Sequence, residues 1–435
     1  MHLSPGMFEV REKPNLVERA LLVRLYFDPR DEVESEALLE ELGELVSTLG
    51  IGVVEKVLSR SREMHRKFLC GTGKAAEIVE LAKAHECDCI VFDNQLAPSQ
   101  QREWEKAADL CVIDREEVIL DIFAKRAQTK EARLQVELAR MQYALPRMAR
   151  MWGHLDREGG SGGGQGGGAA RGMGEKQIEV DRRMAHVRID RARRELEDVR
   201  KQRATQRKER EKMETPHAAI VGYTNAGKST LLNTLSGADV MAKDMLFATL
   251  DTTTRKIELP DGQPLLITDT VGFVRNLPHR LVEAFKATLE EAVLADFLIH
   301  VLDATSPEIE RFHETTLKVL GELGAVDKQT ITVLNKIDLV TDPDRLAELR
   351  HLYPDALNIS AFTGLGMEAL LQKCSEVMAD RVRRHRFRIP QSRADLMGML
   401  HRDAKVLSTE YEENDILVTA VVPAAIAGRL EEFAV

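Results

Sequence analysis

The sequence predicts an α/β protein in four parts. These are an N-terminal parallel α/β domain over 1–115, a long helical hairpin with a glycine-rich loop over 116–213, a second α/β domain over 214–380, and a small α+β domain over 381–435. Three observations lead there. Apolar runs of strand length alternate with helical periodicity before residue 115 and again after residue 215, the pattern of a parallel sheet flanked by helices. Two long stretches without Gly or Pro enclose GGSGGGQGGG, Gly159 to Gly168. GYTNAGKS, Gly222 to Ser229, joins a strand-like segment to a helix-like one.

In the first part RALLVRLYF (19–27) reads as a buried strand and 33–49 as a helix ending before Gly50. A second strand begins at Gly52. GTGKAAEIVELAKAHE then reads as a helix, and CIVFDN and DLCVID as strands. The GTGK of Gly71 to Lys74 lacks the full phosphate-loop frame, so a plain helix start is the simpler reading. Residues 116–145 predict one long helix that Pro146 ends or kinks, and 175–213 predict a second. Leu134, Leu138, Met141 and Leu145 have helical spacing, and Ile178, Val187, Ala192, Leu196 and Val199 are the expected partners across the hairpin. The tail has FRIP, a short helix over 394–403, two strand-like runs turning at EEND, and a final helix over 424–433.

Composition bounds the classes. With 43% hydrophobic and 30% charged residues, the chain has apolar material for several cores. No stretch reaches the about 18 apolar residues needed to span a bilayer, and MHLSPGMFEVREK lacks the apolar core of a signal peptide. The five cysteines, Cys70, Cys87, Cys89, Cys111 and Cys374, are an odd, scattered set and read as reduced cytosolic thiols, with the Cys87–Cys89 pair read as buried structural thiols in preference to a metal site. The expected location is cytoplasmic, at the ribosome or peripheral to a membrane. The net charge of −10 argues against a nucleic-acid partner when taken alone. Its distribution does not. Residues 125–212 hold 23 Lys or Arg against 13 Asp or Glu, whereas the remainder holds 38 against 58. A basic hairpin on an acidic body is an electrostatic handle for phosphates, although many of these charges can also pair along a solvated helix face.

Four motifs carry the chemistry. In Gly222-Tyr223-Thr224-Asn225-Ala226-Gly227-Lys228-Ser229, followed by Thr230, small residues let backbone N–H groups close around phosphates. Lys228 is placed for the β- and γ-phosphates and the Ser229 hydroxyl for Mg²⁺. In Asp269-Thr270-Val271-Gly272, an acidic residue at a strand end suits Mg²⁺ held through water, and the Gly272 N–H suits the γ-phosphate. In Asn335-Lys336-Ile337-Asp338, the Asp338 carboxylate can accept both the N1–H and the 2-amino protons of guanine, a pattern that adenine does not offer. The Lys336 stem can cover the base. Ser360-Ala361-Phe362 closes the pocket, with the Ala361 N–H placed for guanine O6. Between the first two motifs, Phe247-Ala248-Thr249-Leu250-Asp251 is a switch candidate whose Thr249 hydroxyl is chosen to complete the Mg²⁺ shell. Thr252, Thr253 and Thr254 read as strand-edge threonines. The order of these motifs predicts a P-loop GTPase domain binding GTP or GDP.

GYTNAGKST, FATLD, DTVGF, NKID and the segment RGMGEKQIEVDRR (171–183) together resemble the HflX family of ribosome-associated GTPases, among the translation-factor-related P-loop GTPases. The resemblance covers nearly the whole chain, and the tail fits mainly by position. Thr252 and Met173 stand where the family commonly has proline. The resemblance implies slow GTP hydrolysis stimulated by the large ribosomal subunit, splitting of stalled or idle ribosomes, and a monomer. It also implies a loop that reaches rRNA, for which Gly159, Gly160, Gly162, Arg171, Arg182 and Arg183 are the candidates, and ATP at the N-terminal domain through GTGK. Asn225 matches the position that binds K⁺ in related cation-activated GTPases. Phe273 stands where many GTPases have the glutamine that orients water, so the water must be positioned by another group. The other readings are a tRNA-modification GTPase, for which no separate chemical domain is visible, a ribosome-biogenesis GTPase, and a nucleotide-regulated RNA-binding or remodelling protein.

Overall fold

A computed structural model describes residues 17–148, 180, 182–199, 201, 215–237, 246–247, 250, 252–275, 290–378, 382–412 and 414–435. The chain divides into two compact units, Met1–Val199 with Arg275–Phe285, and Arg200–Val274 with Lys286–Val435.

The first unit is built on a four-stranded parallel sheet of β1 (Arg19–Tyr26), β2 (Gly52–Arg60), β3 (Cys89–Phe92) and β4 (Cys111–Asp114), in the order β2-β1-β3-β4. Helix α1 (Glu32–Thr48) follows β1 and buries Leu38, Leu42, Leu45 and Val46 at helical spacing. Helix α2 (Thr72–Ala84) takes GTGK as its first turn, where Lys74 pairs with Glu77 at 2.7 Å. Helix α3 (Pro98–Ala108) has no counterpart in the sequence reading. Its start was marked by Pro98 at the first helical position. It buries Trp104 against Phe92 and Phe68, with ring centroids 4.8 and 5.2 Å away, in the core of this unit.

The single helix expected over 116–145 is two, α4 (Arg115–Arg126) and α5 (Lys130–Met148). The chain leaves helical dihedrals at Ala127, and the Thr129 hydroxyl accepts the Ala132 N–H at 3.1 Å, a cap that competes with continuation. Pro146 lies inside α5 rather than ending it. The second hairpin helix is described over 182–199 (α6). It packs Ile189, Ala192 and Leu196 against Leu138, with Leu134, Met141 and Leu145 alongside. Val187, expected there, is 62% exposed. The buried stripe runs through 185, 189, 192 and 196, and a residue two positions before Ile189 points away from it. Ile178 lies outside the described residues.

A buried charge cluster crosses this unit. Arg115, which opens α4, donates to Asp93 at 2.7 Å, to Glu41 of α1, and to the Arg275 carbonyl at 3.3 Å. Arg275 donates to Glu41 at 3.0 Å, and Arg24 of β1 pairs with Asp93.

The second unit holds a six-stranded sheet in the order β10-β9-β8-β5-β7-β6. Its strands are β5 (His217–Gly222), β6 (Thr253–Glu258), β7 (Pro264–Asp269), β8 (Phe297–Asp303), β9 (Thr330–Asn335) and β10 (Leu357–Asn358). All pair in parallel except β6, an antiparallel edge that begins at Thr253, as the threonine run predicted. Helices α7 (Lys228–Ser236), α8 (Ile309–Glu322), α9 (Pro343–Leu352) and α10 (Met367–Met378) complete the fold. After β5 the chain builds strands first on one side, then on the other. The carboxyl ends of β5, β7, β8 and β9 therefore converge at a topological switch point, where open α/β sheets bind ligands.

The tail forms an antiparallel sheet β11-β13-β12, from Val382–Pro390, Asp415–Pro423 and Lys405–Glu412. Helices α11 (Ala394–Asp403) and α12 (Ala424–Arg429) cover one face, around Phe387, Ile389, Leu400 and Val418. The final helix is shorter than expected, ending at Arg429 before a single 3₁₀ turn. The Val435 N–H donates to the Arg386 carbonyl at 2.8 Å and so protects part of the free edge of β11.

Among the described residues no helix is long and apolar enough to cross a membrane. Cys87 and Cys89 are buried. Burial pushes the Cys70 thiol up to about 11 and the Cys374 thiol up to about 12, which keeps both in the unreactive thiol form.

Candidate functional site

The phosphate loop leaves β5 at Gly222 and enters α7 at Lys228, so the first N–H groups of that helix face the loop. Three of its residues take positive φ, Gly222 at 148°, Asn225 at 61° and Gly227 at 92°. At Gly227 glycine is required twice over, since a Cβ would sit 2.2 Å from the Asn335 amide nitrogen. Asn225 in this conformation is unusual for a residue with a side chain, although asparagine tolerates it better than most. Tyr223 is fixed by stacking on Phe312 of α8, with rings 3.9 Å apart and 9° from parallel.

Lys228 is buried. Its ammonium donates to the Tyr223 carbonyl at 2.6 Å, and burial pulls its pKa down to about 8, with Asp269 opposing the shift. A phosphate brought to this loop would supply the missing counter-charge and return the lysine toward its ordinary range. The Ser229 hydroxyl donates to the Asp269 carboxylate at 2.6 Å. A hydroxyl and a carboxylate together at the mouth of a phosphate loop form an all-oxygen donor set that suits Mg²⁺.

The DTVG segment divides its labour. The Thr270 hydroxyl donates to the Ile220 carbonyl at 2.7 Å and ties the segment to β5, so it is turned away from the loop mouth. Val271 is buried. Phe273 is buried too, and its backbone forms a bridge with the phosphate loop. The Thr224 N–H donates to the Phe273 carbonyl at 2.8 Å, and the Phe273 N–H donates to the Gly222 carbonyl at 3.1 Å.

Asn335 acts as a brace. Its amide donates to the Ala226 carbonyl at 2.8 Å and accepts the Ala361 N–H at 2.9 Å. One buried side chain thus joins the phosphate loop to both base-pocket segments. The Ala361 N–H expected for guanine O6 is donated to the Asn335 side-chain oxygen in this structure. Lys336 has φ of 63° and pairs with Asp303 at 2.7 Å, which holds its stem along the pocket. Asp338 is exposed in a 3₁₀ turn over Ile337–Leu339. Ser360 is buried and caps the following turn by accepting the Thr363 N–H at 3.1 Å. Phe362 is 87% exposed beside this rim, a ring that a flat base could cover.

The switch candidate divides. Phe247 and Leu250 are buried. Ala248, Thr249 and Asp251 lie outside the described residues, as do Gly159, Gly160, Gly162 and Arg171. Arg182 and Arg183 are exposed on α6. Two site neighbours had no sequence signal beyond being isolated histidines. His300 of β8 is buried, stacks on His313 at 5.0 Å, and among the described residues has no hydrogen-bond partner on either ring nitrogen. Burial first, then His313 and Lys228, pull its pKa down to about 3, so it is neutral.

Comparison with known proteins covers the chain end to end. Residues 36–124 match the family described as GTP-binding GTPase N-terminal, 126–210 its Middle Region, and 217–336 the family described as 50S ribosome-binding GTPase. The chain is 64% identical over 433 residues to the GTPase HflX of Akkermansia muciniphila, covering 98% of this chain and 99% of that one. It is 42% identical over 427 residues to the GTPase HflX of Lacrimispora saccharolytica, covering 98% of each. It is 40% identical over 399 residues to that of Escherichia coli, covering 92% of this chain and 91% of the relative.

Proposed function

The chain belongs to the HflX family of GTPases, and from that premise we propose that it is a Mg²⁺-dependent switch whose GTP form docks on the large ribosomal subunit and separates stalled or idle ribosomes. The carrying observation is the convergence of Lys228, Ser229 and Asp269 with the Asn335 brace at the strand ends, in a segment matching a family described as 50S ribosome-binding. Ser229 and Thr249 would hold the metal directly and Asp269 through water. The bound Mg²⁺ supplies charge neutralisation at the β- and γ-phosphates. Lys228 adds a second positive charge, Gly272 presents an N–H to the γ-phosphate, and Asp338 with Lys336 selects guanine. Among the described residues no side chain is placed as a general base, so the chemistry is positioning and charge stabilisation.

The basic hairpin favours rRNA as the docking surface, with Arg182 and Arg183 exposed for phosphate contact. Cosedimentation with purified large subunits should show at least about fivefold more protein in the pellet with a non-hydrolysable GTP analogue than with GDP, the gap that a coupling of about 1–3 kcal/mol produces. Equal, salt-sensitive binding in both nucleotides would favour the RNA-binding reading and remove the switch. Asn225 is exposed and left-handed within the phosphate loop, and a K⁺ ion held by its side chain is the second part of the proposal. GTP turnover should be faster in K⁺ than in Na⁺ for the wild type, and the two rates should converge in Asn225→Ala. Equal wild-type rates in the two salts would remove the ion.

A further inference from the structure

The buried hydroxyl of Thr224 is unexplained by anything above. Thr224 is 6% exposed, and among the described residues its Oγ1 has no hydrogen-bond partner. An orphaned buried hydroxyl destabilises a fold, and valine would fill the same space without that cost. Packing therefore does not account for threonine at this position. A partner that arrives with a ligand does.

The surroundings identify that ligand. A Cβ placed on Gly272 would come within 2.8 Å of the Thr224 Cα, the Thr224 Cγ2 and the Lys228 Nζ. The Thr224 side chain, the Lys228 ammonium and the Gly272 backbone are thus close neighbours. The other two are a cation and the glycine amide of DTVG, the groups that suit a terminal phosphate. Thr224 also anchors the following residue, because its N–H holds the Phe273 carbonyl at 2.8 Å. Phe273 itself offers no polar atom beyond its backbone, and both of its backbone groups are engaged with the loop.

We propose that the Thr224 hydroxyl is the third γ-phosphate ligand of this site. It donates to a γ-phosphoryl oxygen in the GTP state and is orphaned in the GDP state, so it distinguishes the two nucleotides and stabilises charge on the γ-phosphoryl group during hydrolysis. This rests on reading Gly222–Ser229 as the phosphate loop.

The test is Thr224→Val, which keeps the shape and removes the hydroxyl, with Thr224→Ser as the restoring variant. GDP affinity, GTP-analogue affinity and single-turnover hydrolysis are measured on the full chain. In the valine variant GDP affinity should stay within about twofold, while analogue affinity and the hydrolysis rate each fall about tenfold, the worth of one hydrogen bond to a charged group. Serine should recover most of the loss. A valine variant with the wild-type ratio of GTP-analogue to GDP affinity and the wild-type rate would overturn the proposal. Equal loss of GDP and analogue affinity would also overturn it, because it would mark a structural role. Failure of the loop assignment itself would show differently, as GDP binding by the wild type that Lys228→Ala leaves intact.

Discussion

Asp338→Asn is expected to cost at least about 100-fold in GDP affinity and to make xanthosine diphosphate the preferred ligand. In the proposed base pocket the carboxylate would accept two guanine protons, each hydrogen bond to a charged group being worth ~1.5–3 kcal/mol. Asparagine keeps one acceptor and turns a donor toward the guanine 2-amino group, so one bond is lost and one contact becomes repulsive. Xanthine carries a carbonyl at that position, which the new amide can satisfy. The rest of the pocket should survive the change. Asp338 is exposed in its 3₁₀ turn, whereas Asn335 and the Lys336–Asp303 pair hold the surrounding backbone. Calorimetric titration of both diphosphates against both proteins decides the matter. Unchanged GDP affinity in the variant would remove Asp338 from base recognition.

Asp338 illustrates what was legible in the sequence. The phosphate loop, DTVG and NKID are short segments whose spacing dictates local backbone geometry, and each lies at the end of the strand the apolar pattern predicted. What the sequence did not show is set by tertiary contact. The left-handed backbone at Asn225 and Lys336 has no glycine to announce it. Asn335 reads as a base-pocket residue, but its role as a brace depends on partners 109 and 26 residues away. Phe247 sits in a segment that reads as a polar switch, yet it is buried. In α6 the apolar residues offered more than one stripe, and only packing against α5 decided that Ile189, not Val187, is inside.

The cluster around Arg115 is the extreme case, joining residues 22, 74 and 160 positions apart. Its disruption is the second large effect expected. Asp93 and Glu41 are both buried carboxylates, and Arg115 is the one side chain among those described that is recorded bonding to both. Arg115→Met keeps much of the apolar stem but leaves Arg24 on Asp93 and Arg275 on Glu41 as separate, less neutralised pairs. Removing one partner of a buried ion pair costs about 3–5 kcal/mol, a large part of the ~5–15 kcal/mol that holds a typical domain folded. Replacing Arg386, half-exposed and 3.4 Å from Glu410, should change stability by less than about 1 kcal/mol. A chain of two units need not unfold in one step, so a probe confined to the first unit is required. Trp104 provides one, since it is fully buried in that core and Trp152 can be changed to Phe in every protein compared. The urea midpoint read from Trp104 fluorescence should fall by at least about 1 M for Arg115→Met, given a slope of roughly 1–3 kcal/mol per molar. For Arg386→Met it should stay near that of the parent. If the two variants moved the midpoint equally, the buried cluster would hold the first unit no better than a surface pair does.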